Sequence, residues 1–206
     1  IAGDEMTVRP HSTLFVSGGR VRSVDTQPPP TDMSSVDGSS LIAAPAFVNA
    51  HTHIGDIVGK EDGFGLDSWR VVMPPDGVKV TLLAEAEDAA VIAAIRDAAH
   101  VMLASGTTTF ADFRESGGHG LDLLERALDG LPLRSMAFGR HATHPPHTED
   151  DLEANRGGLS PALVAEFEEL IERVPGWSVP LAFDVTDEGL THTARLVRQR
   201  GKLLAT

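Results

Sequence analysis

From residue 43 to the end, short β-type runs alternate with stretches of helical period, and this alternation narrows the choice of fold more than any other feature. "APAFVNA" (44–50) reads as a strand buried on both faces. "TTTFADF" (107–113) and "LRSMAFG" (133–139) are β-type, "SVPLAFDV" (178–185) is a further strand candidate despite Pro180, and "KLLAT" (202–206) is an apolar strand stub. Between them lie helical stretches at 81–104, 120–130, 160–173 and 186–200. Gly106 stands where a glycine ends a helix, Ser160 with Pro161 opens one, and Thr186-Asp187 caps another. Repeated βα units imply a parallel sheet. The length after residue 43 suits about five units of ~30 residues each, whereas a complete (β/α)8 barrel needs roughly 250 residues. Residues 54–80 carry glycines and prolines without a clear period, a long excursion of the kind that serves a function or is poorly ordered.

Ahead of this region, "STLFVSGGRVRSV" (12–24) reads as a hairpin about Ser17-Gly18-Gly19. A Pro/Ser-rich connector at 26–40 follows it. The first forty or so residues form a small β region, too short for a stable domain of its own. Composition excludes several function classes. A net charge of −13 gives no basic surface for a phosphate backbone, so nucleic acid is not an expected partner. No apolar run reaches 18 residues, so no membrane span is expected. The absence of cysteine rules out thiolate zinc sites and thiol nucleophiles and agrees with a cytoplasmic location.

The chemistry centres on "PAFVNAHTHIGD" (45–56). Residues i and i+2 of a strand point to the same side, so His51 and His53 can share one divalent ion with Zn–N bonds of ~2.0–2.1 Å. The pair also falls at the C-terminal end of a strand, where α/β folds place their sites. Taken alone, the pair reads equally well as two polar residues at a strand end.

"APAFVNAHTHIGD", followed by "ASGTTTFADF" (104–113), resembles the amidohydrolase superfamily. Asn49, His51 and His53 match its first strand motif, and Gly106-Thr107-Thr108-Thr109 matches its second, although Ala46 stands where relatives carry glycine. The resemblance implies an α/β fold: the first portion of a TIM-like (β/α)8 barrel (44–206) preceded by a portion of a small β-sandwich (1–43). It also implies one divalent metal held by His51 and His53, zinc first and iron second, and a metal-activated water that attacks a non-peptide C–N bond. Cyclic amide hydrolysis and deamination of a small nitrogenous compound are both in that class. Relatives complete the site with histidines ending strands 5 and 6 and an aspartate ending strand 8, the usual general base. The chain stops at Thr206, before any of these, so a truncated barrel and no catalytic base are expected. The strand-4 candidate has no lysine, which favours a mononuclear, deaminase-like site.

Other candidates sit at the same rim. His141, in "RHATHPPH" (140–147), and Arg114 and Glu115, in "DFRES" (112–116), are the expected substrate contacts. Asp56 and Asp184 can each orient a histidine or cap a turn. His11, His100, His119 and His192 receive no role. The expected partners are a small-molecule substrate and either a further copy of the chain or a second chain that completes the barrel. The competing expectation is a catalytically incomplete fragment or scaffold subunit, and a different βα architecture with an accidental His-x-His stands as a third.

Overall fold

The computed structural model describes residues 1, 3–28, 33–73 and 77–206. They form two compact units, Ile1–Ala46 and Phe47–Thr206. In the first, β1 (Thr13–Ser17) pairs antiparallel with β2 (Arg20–Asp25). Gly18 and Gly19 both take positive φ, 58° and 68°, which a two-residue turn matching the twist of its strands requires. This is the hairpin expected at 12–24. Residues 29–32 of the proline-rich connector lie outside the described residues.

The second unit is a five-stranded parallel sheet whose spatial order is its sequence order: β3 (Phe47–Thr52), β4 (Thr107–Phe113), β5 (Arg134–Gly139), β6 (Gly176–Ser178) and β7 (Leu203–Ala205). Sequential parallel pairing of this kind is that of a half barrel, not of a doubly wound sheet. The helices are α1 (Ser68–Val72), α2 (Val78–Glu85), α3 (Asp88–Ala104), α4 (Gly117–Leu128), α5 (Glu149–Glu153), α6 (Pro161–Leu170) and α7 (Asp187–Gln199). Their caps follow the sequence: Ser160 accepts from Leu163 N and Thr186 from Gly189 N. Gly106, at φ 84°, follows the α3 C-cap Ser105 and turns the chain into β4. No described helix is long and apolar enough to cross a membrane.

The apolar interior has two centres. Phe110 of β4 packs with Ile95 of α3 and Leu124 of α4. Trp177 of β6 packs with Phe167 of α6 and Val197 of α7, the two aromatic rings meeting edge to face at 4.9 Å.

Four segments depart from the sequence reading. The helical stretch 81–104 is two helices, because Ala86 and Glu87 are extended, with ψ of 134° and 137°. The excursion 54–80 holds a 3-10 turn (Ile54–Gly59), α1, and the start of α2. The strand expected at 178–185 begins two residues earlier and ends at Ser178, giving way to a 3-10 turn at Ala182–Asp184. Pro180 has no N–H to continue the ladder. Gly176, the first residue of the strand, has no room for a side chain, since a Cβ there would stand 2.5 Å from Phe138 Cε1 and 2.7 Å from Leu203 O. Finally, Phe47 and Val48 of the edge strand β3 are exposed, so that strand is not buried on both faces.

Replacing Phe110, which is fully buried, by alanine is expected to destabilise the protein by about 3–5 kcal/mol in urea denaturation. The exposed Val101→Ala control is expected to stay within about 0.5 kcal/mol. Equal effects at the two positions would contradict this assignment of the core.

Candidate metal centre at the strand rim

His51 is the penultimate residue of β3, and His53 follows the strand directly and caps the 3-10 turn. Their ring centres are 5.3 Å apart. Two imidazoles on one tetrahedral ion, with Zn–N of ~2.0–2.1 Å, have centres about 5 Å apart, so the spacing fits a shared divalent ion. Phe113, at the end of β4, lies beside both rings, 4.4 Å from His51 and 5.8 Å from His53.

The turn that delivers His53 is fixed by Asp112 of β4, which is fully buried. Its Oδ1 accepts from Ile54 N at 2.7 Å and lies 3.0 Å from Thr52 Oγ1. The residues on either side of His53 are thus tied to one carboxylate on the neighbouring strand. Burial raises the Asp112 carboxyl above its usual range, and the Arg114 guanidinium opposes that rise. Gly55 follows in the turn because a Cβ there would collide with the Arg114 guanidinium. Only a glycine lets that group pass beneath.

Glu115, two residues beyond β4, holds the ring itself. Its Oε1 is 2.8 Å from His53 Nδ1. An ionised carboxylate only accepts, so Nδ1 carries the proton and Nε2 is left with a free lone pair, the form a metal needs. The same oxygen accepts from Lys79 Nζ at 2.6 Å and lies 3.2 Å from Arg140 Nη2, while Oε2 accepts from Arg114 Nη2 at 2.8 Å. Burial alone would raise the Glu115 carboxyl. The hydrogen bond from His53 and the charges of Lys79, Arg114 and Arg140 outweigh it and hold the group well below the usual carboxylate range. Lys79 also pairs with Asp56 Oδ2 at 2.8 Å. Its 3.4 Å approach to His53 Nδ1 joins two donors, so the shared carboxylate and not a bond brings them together.

The structure therefore brings His51 and His53 together and sets Glu115 behind His53. Arg114 and Glu115, expected to face substrate, lie beneath the rim with side chains 3% and 5% exposed and turned to one another. His141 ends up in separate surroundings. Its Nδ1 is 2.8 Å from Glu166 Oε2, its ring meets Trp177 edge-on at 5.0 Å, and its buried Nε2 has no partner. From the same loop as His141, His144 Nε2 lies 2.9 Å from Asp184 Oδ2 of the 3-10 turn after β6. Sequence reasoning missed Lys79 and Asp112. Asp112 was within reach, as an acid at the end of a β-branched run. Lys79 was not, since it sits in the stretch without a period.

Two outcomes follow from these groups. Asp112→Ala leaves Ile54 N without its buried acceptor, while Arg114 keeps Glu115, and is expected to cost about 1–3 kcal/mol in chemical denaturation. Burial lowers the imidazoles of His141, His144 and His147 below the ordinary histidine value. The unfolded chain then binds protons these groups refuse when folded, so their stabilisation is complete above the ordinary value of 6.5 and is lost as pH falls through the folded values. Urea midpoints measured from pH 8 down to pH 5 are expected to fall below about pH 6.5, with a shallower fall in the triple His→Gln variant. An identical fall in both proteins would refute the assignment.

A sequence profile described as the amidohydrolase family matches residues 42–206. A "Putative aminohydrolase" of Methanothermobacter thermautotrophicus is 32% identical over 68% of this chain and 36% of its own length. A protein of the same name from Archaeoglobus fulgidus is 34% identical over 48% of the chain and 30% of its length. The chain thus spans about a third of the length of these curated relatives. Among solved structures, atrazine chlorohydrolase TrzN from Arthrobacter aurescens TC1, complexed with zinc, matches 94% of this chain and 47% of its own, with a TM-score of 0.64 and 17% identity. That likeness shows the half-barrel fold alone, and the profile match over residues 42–206 shows the family: the chain belongs to the amidohydrolases.

Proposed function

We propose that the protein containing this chain is a metal-dependent hydrolase of a small nitrogenous compound, acting on a non-peptide C–N bond by cyclic amide hydrolysis or deamination. The observation that carries this reading is the pair His51 and His53, spaced for one ion, with the Nδ1 of His53 committed to Glu115. Family membership supports the reaction class. Zinc is the first choice of metal and iron the second, since imidazole ligands suit both.

In this reading a bound divalent ion supplies a water that ionises near neutral pH. The protein's own residues prepare the ligand face. Asp112 fixes the turn so that both imidazoles reach the rim. Glu115 keeps the proton of His53 on Nδ1 and the lone pair on Nε2. Arg114 is a positioning residue that holds Glu115 and braces Asp112. His141 is the rim group we assign to the substrate, because its Nδ1 is oriented by Glu166 while Nε2 has no protein partner. A cytoplasmic setting suits a chain without cysteine.

A second reading has its own observation. The edge strands β3 and β7 expose Phe47, Val48, Leu203 and Leu204, so the half barrel offers two apolar edges to a further segment or chain.

Metal content decides the first reading. Full-length protein is expected to hold one zinc or iron per chain, His51→Ala and His53→Ala each to lower metal affinity at least tenfold, and Glu115→Gln to lower it ~10–100-fold while the far-ultraviolet circular dichroism stays native. Unchanged metal content in the double histidine variant would remove the foundation of the proposal.

A further inference from the structure

The donors His53 Nδ1, Asp56 Oδ2 and Glu115 Oε1 converge on one point, and that point is taken by an ammonium group. Among the described residues, His53, Asp56 and Glu115 form a group of the kind that holds a cation, with one donor atom from each all within 4.8 Å of one another. Lys79 Nζ stands 2.6 Å from Glu115 Oε1, 2.8 Å from Asp56 Oδ2 and 3.4 Å from His53 Nδ1. Its side chain is 12% exposed, so this is a buried charge with two carboxylate partners and not a surface pair. It reaches the position from the start of α2, at the end of the long excursion, across 36 residues of chain from Glu115. Asp56 is the carboxylate that depends on it most. Lys79 is the cation paired with Asp56 among the described residues, and Asp56 Oδ1 is buried without a partner. Glu115, by contrast, keeps Arg114 and Arg140.

We infer that the Lys79 ammonium is a built-in cation that fills what would otherwise be a second divalent-metal position, on the Nδ1 side of His53, so that the centre takes one ion and not two. The inference rests on the reading that a first ion binds His51 and His53. The two positions lie on opposite nitrogens of one imidazole, which makes the lysine a device that decides metal stoichiometry. The ammonium is monovalent and reaches its partners at hydrogen-bond distances. A divalent ion there would draw the three donors inward to ~2.0–2.2 Å and take the proton's place on Nδ1. With Lys79 in position, that proton stays and Glu115 remains an acceptor for it.

The test is zinc stoichiometry of full-length protein, measured by elemental analysis after equilibration with zinc and desalting. Wild type and Lys79→Arg, which keeps the cation, are expected to hold one ion per chain. Lys79→Met is expected to hold two, and Lys79→Met combined with Asp56→Asn is expected to return to one. Cobalt substitution gives a second readout, a doubling of the bound cobalt in Lys79→Met. If Lys79→Met does not fold, as judged by circular dichroism, Lys79→Gln takes its place with the same expectation. One ion in folded Lys79→Met and Lys79→Gln overturns the inference and leaves the metal-hydrolase reading standing. Two ions in wild type also overturn it, as does a second ion that survives Asp56→Asn. No ion in wild type overturns both readings.

Discussion

The Glu115 carboxylate, removed from water at the end of β4, sets the terms for everything around it. A buried carboxylate stays ionised only if cations and donors surround it. Here they come from four places in the chain: His53 after β3, Lys79 on α2, Arg114 beside it, and Arg140 after β5. Meeting that one electrostatic demand ties three strand ends and the excursion together. The hydrogen bond that satisfies Glu115 also decides which nitrogen of His53 is free.

Asp112 complements Glu115 from within β4. It acts on backbone through Ile54 N, where Glu115 acts on a side chain. Arg114 lies against both acids, which lets two carboxylates occupy one buried corner. The neutral imidazoles of the β5 loop follow a different rule. Burial lowers them, and His141 is aimed by a hydrogen bond to Glu166 without carrying charge.

What the sequence made legible was local. The hairpin needed two positive-φ residues and had Gly18-Gly19. Helix starts needed side-chain acceptors and had Ser160 and Thr186. His51 and His53 were readable because an i, i+2 spacing at a strand end already implies their geometry. The rest depended on contacts no local pattern encodes. The break at Ala86–Glu87 has no glycine or proline to announce it; α2 turns away to pack on the 3-10 turn and set Lys79 among the acids. Arg114 and Glu115 were legible as rim residues but not as buried ones, since their burial depends on Gly55 of another segment. β6 was misplaced because its extent is set by pairing with β5 and β7 at Gly176–Ser178, which no local pattern encodes.

The bonds of the rim also span long stretches of chain. His53 meets Glu115 across 62 residues, and Ile54 meets Asp112 across 58. Closing loops of that length carries an entropic penalty that grows only slowly with further length. The pairing of β3 with β4 meets that penalty once, for both bonds together. Each bond joins residues that the alignment of the two strands brings together. Both bonds therefore depend on one event, the alignment of β3 with β4 in the observed register.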